Sequence, residues 1–319
     1  MTALRNRLPL AGDAFLLTDS GLETYLIFHE GLDLPSFASY PLLETAEGMA
    51  VLETYFRRHL RIAARHGTGF VLEAPTWRAN RDWGATLGHT PEDLRRFNQK
   101  AIAMLEKLRG EMAEQAPVLI SGNAGPRGDG YQPDTAMTAK EAEDYHGEQI
   151  GWFAETAADM VGGFTFTTVA EGVGFIRAAT ARDLPSVVAY TVETDGRLPD
   201  GTPLAEAIRE TDAATGSAAA YLMINCAHPD HFRPAIEAGE EWTKRIGGIR
   251  ANASRMSHEE LDNATELDDG DPAGLGEDYR ALIGLFPNVR VFGGCCGTDH
   301  RHVAAIAKAC DGHFKAAAR

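Results

Sequence analysis

The chain has 319 residues, of which 44% are hydrophobic, and its formal net charge at pH 7 is −16. A chain of this length and composition can fold as one large α/β barrel or as two ordinary domains. The excess of negative charge argues against binding to nucleic acid or to an anionic membrane surface, because both of these partners are themselves negatively charged.

The N-terminal sequence and the hydropathy pattern bear on the compartment. The first residues, MTALRNRLPLAGD, are charged and lack the apolar segment of a secretory signal. No apolar run reaches the roughly 18 residues that suggest a membrane-spanning helix. We therefore expect a cytoplasmic protein without a membrane partner, in which clustered cysteines indicate metal or redox chemistry more often than stable disulfides.

Short β-rich apolar segments alternate with longer segments of helical periodicity along the whole chain. The predicted strands are, in order, FLLTDSG (15–21), GFVLEAP (69–75), PVLISGNAG (117–125), DMVGGFTF (159–166), PSVVAYTVE (185–193), AAYLMINCAH (219–228), IGGIRANAS (246–254) and NVRVFGGCCGT (288–298). Eight strand–helix units without a linker predict one domain over residues 1–319, with its core at about 15–313, and the fold of a (β/α)8 TIM barrel. A doubly wound open sheet is the alternative, but TDSGLET after the first strand lacks the Gly-rich phosphate-binding turn typical of such sheets.

In a (β/α)8 barrel the functional side chains lie at the carboxyl ends of the strands. The residues at the predicted ends are Asp19, Glu73, Asn123, Thr165, Glu193, Cys226, Asn252, Cys295 and Cys296. Three of the four cysteines are therefore expected on one face of the barrel. The fourth, Cys310, falls late in the last predicted helix, where we expect it to pack in the core.

Cys226, Cys295 and Cys296 form a candidate metal site. Strands six and eight lie close together on one side of a closed barrel, so the three sulfurs are expected to converge. Three thiolates in a cytoplasmic protein suit Zn²⁺ in tetrahedral geometry. Adjacent residues of a regular strand point to opposite faces, and we predict that Gly293 and Gly294 supply the bend that turns both sulfurs toward one ion.

Other interpretations of these cysteines remain open at this point. The cysteines can be buried as small apolar side chains, or the adjacent pair can be a redox switch, although a bridge between neighbours is a strained ring. A closed structural zinc site is also possible, with His228, His300 or His302 as the fourth ligand. A vacant fourth position would instead indicate catalysis.

Four segments carry a resemblance to a known family: LTDSGLETYL, VVAYTVETDGRLPDGTPLAEAI, INCAHPDH and VFGGCCGTDHRHVAAI. In order and spacing, from about Phe15 to Ala309, the chain resembles the homocysteine S-methyltransferase family, and GGCCG combined with an upstream NC is specific to that family. The resemblance implies a zinc-dependent S-methyltransferase in which Cys226, Cys295 and Cys296 bind Zn²⁺. It also implies homocysteine as the thiol acceptor and methionine as the product.

Methyl transfer to sulfur requires a thiolate, whereas a free thiol with a pKa near 8.5 is mostly protonated at neutral pH. Zinc deprotonates a thiol that binds to it, and the methyl donor must then be cationic, a sulfonium or a quaternary ammonium. A chain of 319 residues leaves no room beside the barrel for a cobalamin- or folate-binding domain, so we expect direct transfer between two small molecules. S-methylmethionine, S-adenosylmethionine and a betaine all remain candidates for the donor, and the oligomeric state is open.

The resemblance also suggests how an amino-acid acceptor is held. Asp19 is a candidate partner for the substrate ammonium group, and the backbone at Ser20 and Gly21 is expected near the substrate carboxylate. A different hypothesis is that the barrel uses zinc for stability and binds a small sulfur compound without turnover.

Two strand ends depart from the family pattern. The family usually has a glutamate at the end of strand four, within a Phe-Glu-Thr run, where this chain has Thr165 in GGFTFTT. It usually has a small polar residue at the end of strand two, where this chain has Glu73 in VLEAPTW. We predict that Glu73 replaces the missing carboxylate. The alternative is that Glu73 pairs with Arg78 or another basic residue and that the acceptor is a different thiol.

Two further segments are candidates for donor binding. The indole faces of Trp77 and Trp83, after strand two, can hold a cationic methyl donor or can be ordinary packed aromatics. The acidic segment 256–279 is unusually long for a strand–helix connection. It is interpreted either as a solvated acidic excursion or as a lid over the donor.

Overall fold

The computed structural model of the chain describes residues 15–112, 117–133, 136–236 and 239–317. Eight parallel strands form a closed barrel in sequential order, with β8 hydrogen-bonded back to β1. The strands are Leu16–Thr18 (β1), Gly69–Glu73 (β2), Val118–Ala124 (β3), Met160–Phe166 (β4), Ser186–Tyr190 (β5), Tyr221–Asn225 (β6), Ile246–Ala251 (β7) and Val291–Gly294 (β8). The predicted (β/α)8 fold is confirmed, and closure between β8 and β1 excludes the open sheet. Residues 1–14, in which no secretory signal was expected, lie outside the described residues.

Helices surround the barrel and also cover its carboxyl end. They are Leu22–Phe28 (α1), Ala46–His66 (α2), Arg81–Thr86 (α3), Pro91–Met112 (α4), Ala139–Ala154 (α5), Val169–Thr180 (α6), Leu204–Thr215 (α7), Pro229–Phe232 (α8), His258–Asp262 (α9), Pro272–Leu282 (α10) and His300–Ala317 (α11). Local signals define several of their ends. Helix α2, for example, begins where the Thr45 side chain accepts a hydrogen bond from the Gly48 N–H, and it ends at Gly67 in the left-handed conformation. Within the described part of the chain, no helix has the length and apolarity needed to cross a membrane.

The connection after β6 differs from its prediction. The sequence PDHFRPAIEAG predicts a regular outer helix, but the structure has the single turn α8 followed by a 3-10 turn, Arg233–Ala235. Pro234 provides the physical reason, because it has no N–H to donate and its ring collides with the preceding turn of an α-helix. The prediction of a regular helix at this position is therefore wrong.

The apolar core has two parts. The larger part lies between the strands and the surrounding helices, and it includes Cys310, which is fully buried as predicted. The smaller part fills the inside of the barrel and consists of Leu16, Val71, Leu119, Met160, Phe164, Val187, Ala189, Tyr221, Met223 and Val291. Because side chains fill the barrel interior, ligands must bind at the carboxyl ends of the strands, outside the packed layers.

Candidate functional site

A cavity of about 430 Å³ opens at the carboxyl ends of the barrel strands. Most of the residues predicted at strand ends line it, namely Asp19, Glu73, Asn123, Thr165, Cys226, Cys295 and Cys296. Glu193 and Asn252 are absent from its wall. The fold therefore brings most of the predicted site residues to one space.

The three cysteines converge at the wall of this cavity. Their sulfur atoms all lie within 4.8 Å of one another. Cys226 and Cys295 form a disulfide, and Cys296 is a free thiol whose sulfur lies 3.8 Å from that of Cys226. Two sulfurs on one tetrahedral zinc ion, each at about 2.3 Å from it, are about 3.8 Å apart. The residues present therefore fit a tetrahedral thiolate site once the disulfide is reduced.

The backbone conformation that brings the sulfurs together differs from the predicted bend. Gly293 and Gly294 belong to β8, and neither has a positive φ. Side chains there are excluded by crowding, because a Cβ on Gly293 would lie 2.6 Å from the Asp19 carbonyl oxygen. The left-handed conformations are instead at Cys226 (φ 54°) and at Gly297 (φ 77°), directly after the cysteine pair. The prediction that the glycines before the pair make the bend is wrong.

No histidine completes this site within the described residues, where the convergent ligand atoms are the three sulfurs alone. His302 Nε2 is 2.8 Å from the Asp269 carbonyl oxygen, and His228 Nδ1 accepts a hydrogen bond from the Asp230 N–H. Neither histidine lines the cavity, and His300 does not line it either. The structure therefore gives no support to a zinc site closed by one of these histidines.

Tyr131 and His258, which sequence reasoning missed, lie beside the sulfurs. The Tyr131 hydroxyl donates toward Cys296 Sγ at 3.6 Å and is 3.9 Å from Cys226 Sγ. Its ring stacks on that of His258 with the centroids 4.0 Å apart, and His258 Nε2 is 2.8 Å from the Cys226 carbonyl oxygen. Tyr131 lies in the loop after β3 and His258 begins α9, both beyond the strand ends, so the strand-end rule does not find them. Burial raises the pKa of the Cys296 thiol to about 11, so this thiol needs a neighbouring cation to ionise at neutral pH.

Asp19 is buried and already engaged. Its Oδ1 lies 3.0 Å from the Arg250 guanidinium, and its Oδ2 accepts a hydrogen bond of 3.1 Å from the Tyr55 hydroxyl. Arg250 also donates to the carbonyl oxygens of Ser20 and Gly294. Asp19 thus lines the cavity as half of an internal ion pair, and its charge is largely compensated before any substrate binds.

The backbone groups expected near the substrate carboxylate are also occupied. The Ser20 N–H donates to the Tyr55 hydroxyl at 3.1 Å, and the Gly21 N–H donates to Thr298 Oγ1 at 3.2 Å. Ser20 and Gly21 line the cavity as predicted. Their amide hydrogens, however, are used within the protein in this structure.

Thr165 and Glu73, which depart from the family pattern, differ in whether their polar side-chain atoms have hydrogen-bond partners. Thr165 has a φ of 64°, and it exchanges two hydrogen bonds with the Asn225 side chain, of 3.0 and 2.8 Å. Glu73 is 4% exposed, and its Oε2 has no hydrogen-bond partner among the described residues. Burial raises the pKa of Glu73 to about 7, an effect that the charge of Arg250 partly opposes. Glu73 is therefore a buried carboxylate of this wall with unused hydrogen-bonding capacity among the described residues.

Arg78 does not pair with Glu73. The central carbon of its guanidinium lies over the indoles of Trp77 and Trp83, 4.0 and 3.8 Å from their ring centroids. The described residues form no ion pair with Arg78. One face of each indole is thus used by a protein cation, which favours the interpretation of these side chains as packed aromatics over that of a donor-binding pair.

The long acidic segment reaches the cavity. It contains α9 and the start of α10, and residues between Leu261 and Asp268 line the cavity opening. The segment is held in place where Ser254 Oγ donates to the Asp268 carboxylate at 2.6 Å. The segment therefore forms part of the cavity wall, and its closure as a lid over the donor stays a prediction.

The family model described as homocysteine S-methyltransferase matches residues 16–310 of the chain. The chain belongs to the homocysteine S-methyltransferase family. The family resemblance of the sequence motifs is thereby confirmed, and the convergent cysteines lie within the matched region.

Individual relatives of this family are distant. Homocysteine S-methyltransferase 3 of Arabidopsis thaliana is 21% identical over 211 residues, which make up 61% of this chain and 58% of that protein. The chain is thus matched to less than two thirds of that relative's length. The oxidized form of the homocysteine methyltransferase MmuM from Escherichia coli superposes with a TM-score of 0.74 at 19% identity, covering 96% of this chain and 99% of MmuM. The metallated form of MmuM superposes with a TM-score of 0.69 at 17% identity, covering 94% and 97%. At these identities the superpositions show a shared fold.

Proposed function

We propose that this protein transfers a methyl group from a cationic donor directly to the thiol of L-homocysteine, forming methionine, with Zn²⁺ held by Cys226, Cys295 and Cys296. The observation that carries the proposal is the convergence of three cysteine sulfurs on a cavity wall, with no fourth protein ligand among the described residues. Such a site leaves one coordination position for a substrate sulfur, as catalytic zinc sites do. Membership of the family supports homocysteine as the acceptor.

Zn²⁺ bound there supplies the positive charge that keeps an acceptor thiol deprotonated at neutral pH. The residues of the chain have separate tasks. The Tyr131 hydroxyl, 3.6 Å from Cys296 Sγ, donates to a site sulfur and so limits the negative charge that accumulates on the thiolates. Stacking on His258 holds the Tyr131 ring in place. The surrounding cavity wall aligns the two substrates, which is where most of the remaining rate enhancement arises.

The charge of the cavity supports a cationic donor. Seven carboxylate side chains line the cavity against two guanidinium groups, those of Arg78 and Arg250. The acceptor sulfur forms a new bond to the methyl carbon while the donor sulfur or nitrogen keeps the electron pair of the bond that breaks. The donor sulfur or nitrogen consequently loses its positive charge. An acidic cavity attracts the cationic group of the donor more strongly than the uncharged sulfide or amine that transfer leaves, which favours product exchange.

Glu73 is the residue that we propose for the acceptor ammonium group. Thr165, which stands where the family has a glutamate, carries no charge and is hydrogen-bonded to Asn225. Asp19 is compensated by Arg250. Glu73 retains an unpartnered carboxylate oxygen on the cavity wall, and an ammonium group there would satisfy it.

The test is an assay of reduced, zinc-loaded protein with L-homocysteine and a panel of donors containing S-methylmethionine, S-adenosylmethionine and glycine betaine. We expect methionine with at least one of these donors, and we expect Cys296→Ser to abolish its formation while Cys310→Ala retains it. Methylation of a different thiol, with homocysteine inert, would show that the Thr165 departure changes the acceptor. Binding of a sulfur compound without any methylated product would refute the proposed activity.

A further inference from the structure

We propose that Arg78 is a carboxylate-binding residue of the cavity and fixes the acid group of an amino-acid substrate. The inference rests on the proposed function for the identity of the two substrates. Homocysteine and each of the candidate donors carry a carboxylate. Nothing in the family motifs assigns that group to a side chain of this wall.

Arg78 is a buried cation without an ion pair among the described residues, and the charge of Asp129 acts on it only from beyond ion-pair distance. The residue is 5% exposed, and it donates from Nη1 to the Gly128 carbonyl oxygen at 3.0 Å. Its Nε has no hydrogen-bond partner in the part of the chain that the structure describes. Across the described ranges, no aspartate or glutamate oxygen comes within 4.0 Å of it. Arg250, the other buried arginine of the described residues, pairs with Asp19 at 3.0 Å, and the partly exposed Arg109 pairs with Asp159 at 2.7 Å. A buried charge is normally paired, so the missing anion of Arg78 is expected to come from a ligand.

The surroundings of the guanidinium restrict what can bind to it. The central carbon lies over the indole rings of Trp77 and Trp83, 4.0 and 3.8 Å from their centroids. Trp77 is itself fixed, because its Nε1–H donates to the Phe164 carbonyl oxygen at 3.1 Å. An anion therefore reaches the guanidinium through its N–H donors, which point outward in the plane of the group. A planar carboxylate matches that edge through two parallel hydrogen bonds.

Arg78 also lies where a substrate carboxylate is needed. It lines the same cavity as the three cysteines, and the loop that supplies its Gly128 contact also supplies Tyr131, beside the sulfurs. The Ser20 and Gly21 amides, the expected carboxylate partners, already donate within the protein. Burial lowers the pKa of Arg78 to about 10, so the guanidinium stays charged at neutral pH. In a cavity whose charged side chains are mainly carboxylates, this cation opposes repulsion of the acid group of the substrate.

The test measures binding by calorimetry, on reduced and zinc-loaded protein, for ligand pairs that differ only in the carboxylate. The acceptor pair is L-homocysteine and 3-aminopropane-1-thiol, and the donor pair is S-methyl-L-methionine and its decarboxylated sulfonium. The wild-type protein should bind the acid of one pair about 30-fold more tightly than its decarboxylated partner, the low end for a buried charge pair. Arg78→Gln should remove that preference, Arg78→Lys should retain part of it, and Arg81→Gln should leave it unchanged. Arg81 is a suitable control because it is an exposed neighbour that pairs with Glu148.

The pair that loses its preference in Arg78→Gln identifies whether the acceptor or the donor provides the carboxylate. If the wild-type protein binds each acid and its decarboxylated partner with equal affinity, the proposal is overturned. This outcome needs no variant, so the test stays decisive even if Arg78→Gln folds poorly. An unchanged preference in a folded Arg78→Gln protein would overturn it as well. Because the readout is affinity, a protein that binds these acids through Arg78 but forms no methionine would refute the proposed function and leave this inference intact.

Discussion

Replacing Glu73 with glutamine should stabilise the fold and impair acceptor binding at the same time. Glu73 is buried, its Oε2 has no partner among the described residues, and its pKa is raised from the usual 4.5 to about 7. A shift of that size corresponds to about 3 kcal/mol of lost stability when the carboxylate is ionised. Glutamine has the same shape and no charge, so the variant escapes that penalty.

The sign of the pH effect follows from the two protonation states. Between pH 4.5 and about 7 the folded protein holds a proton on Glu73 that the unfolded chain has released. The free energy of unfolding therefore falls as the pH rises through this window. Glu73→Gln should match the wild-type protein in stability near pH 4.5 and exceed it by up to about 3 kcal/mol at pH 8. Urea unfolding at both pH values measures the difference.

Acceptor binding should change in the opposite direction. If the ionised Glu73 carboxylate holds the substrate ammonium group, the KM for homocysteine should fall as the pH rises through about 7. Glu73→Gln should raise that KM on the order of 30-fold at pH 8 and remove its pH dependence. Glu171→Gln is the matched control, because Glu171 is a buried carboxylate that pairs with His146 outside the cavity. An unchanged KM in Glu73→Gln would remove Glu73 from substrate binding, and an unchanged stability would refute the reasoning from its burial.

Three further outcomes are expected. Cys226→Ser should reduce the zinc content of the reduced protein from about one ion per chain to near zero by metal analysis, since three thiolates are needed for a tight site; retention of zinc would contradict the assignment. Arg250→Gln should destabilise the fold by about 3 kcal/mol or more in urea unfolding, because it leaves the buried Asp19 carboxylate without its ion pair; a difference below about 1 kcal/mol would show that the pair contributes little. Gly297→Ala should cost about 1–2 kcal/mol, because the residue after the cysteine pair has a φ of 77°, and should weaken zinc binding by displacing Cys296.

The order of strands and the placement of the three cysteines follow from local sequence features. Each strand is a short apolar segment bounded by turn residues, and this pattern is specified by neighbours in the chain. The carboxyl ends of parallel strands in a closed barrel meet on one face, so Cys226 and Cys295 are brought together by topology even though 69 positions separate them. The connection after β6 does not follow the same local pattern, because Pro234 ends the helical turn that begins at Pro229.

The state of each charged group in the site is decided by tertiary structure. In the sequence, Asp19 looks like a carboxylate that is free to bind the substrate ammonium group, yet Arg250, 231 positions away, pairs with it. The rings of Trp77 and Trp83 likewise face Arg78. The formal charge of a side chain is known from its residue type. Whether that charge is already compensated within the protein depends on burial and on partners from distant strands and loops. Electrostatic interactions strengthen steeply as water is excluded, and water is excluded only when the barrel closes. The sequence alone therefore determines which groups reach the cavity, and only the folded protein determines which of them are left for a substrate.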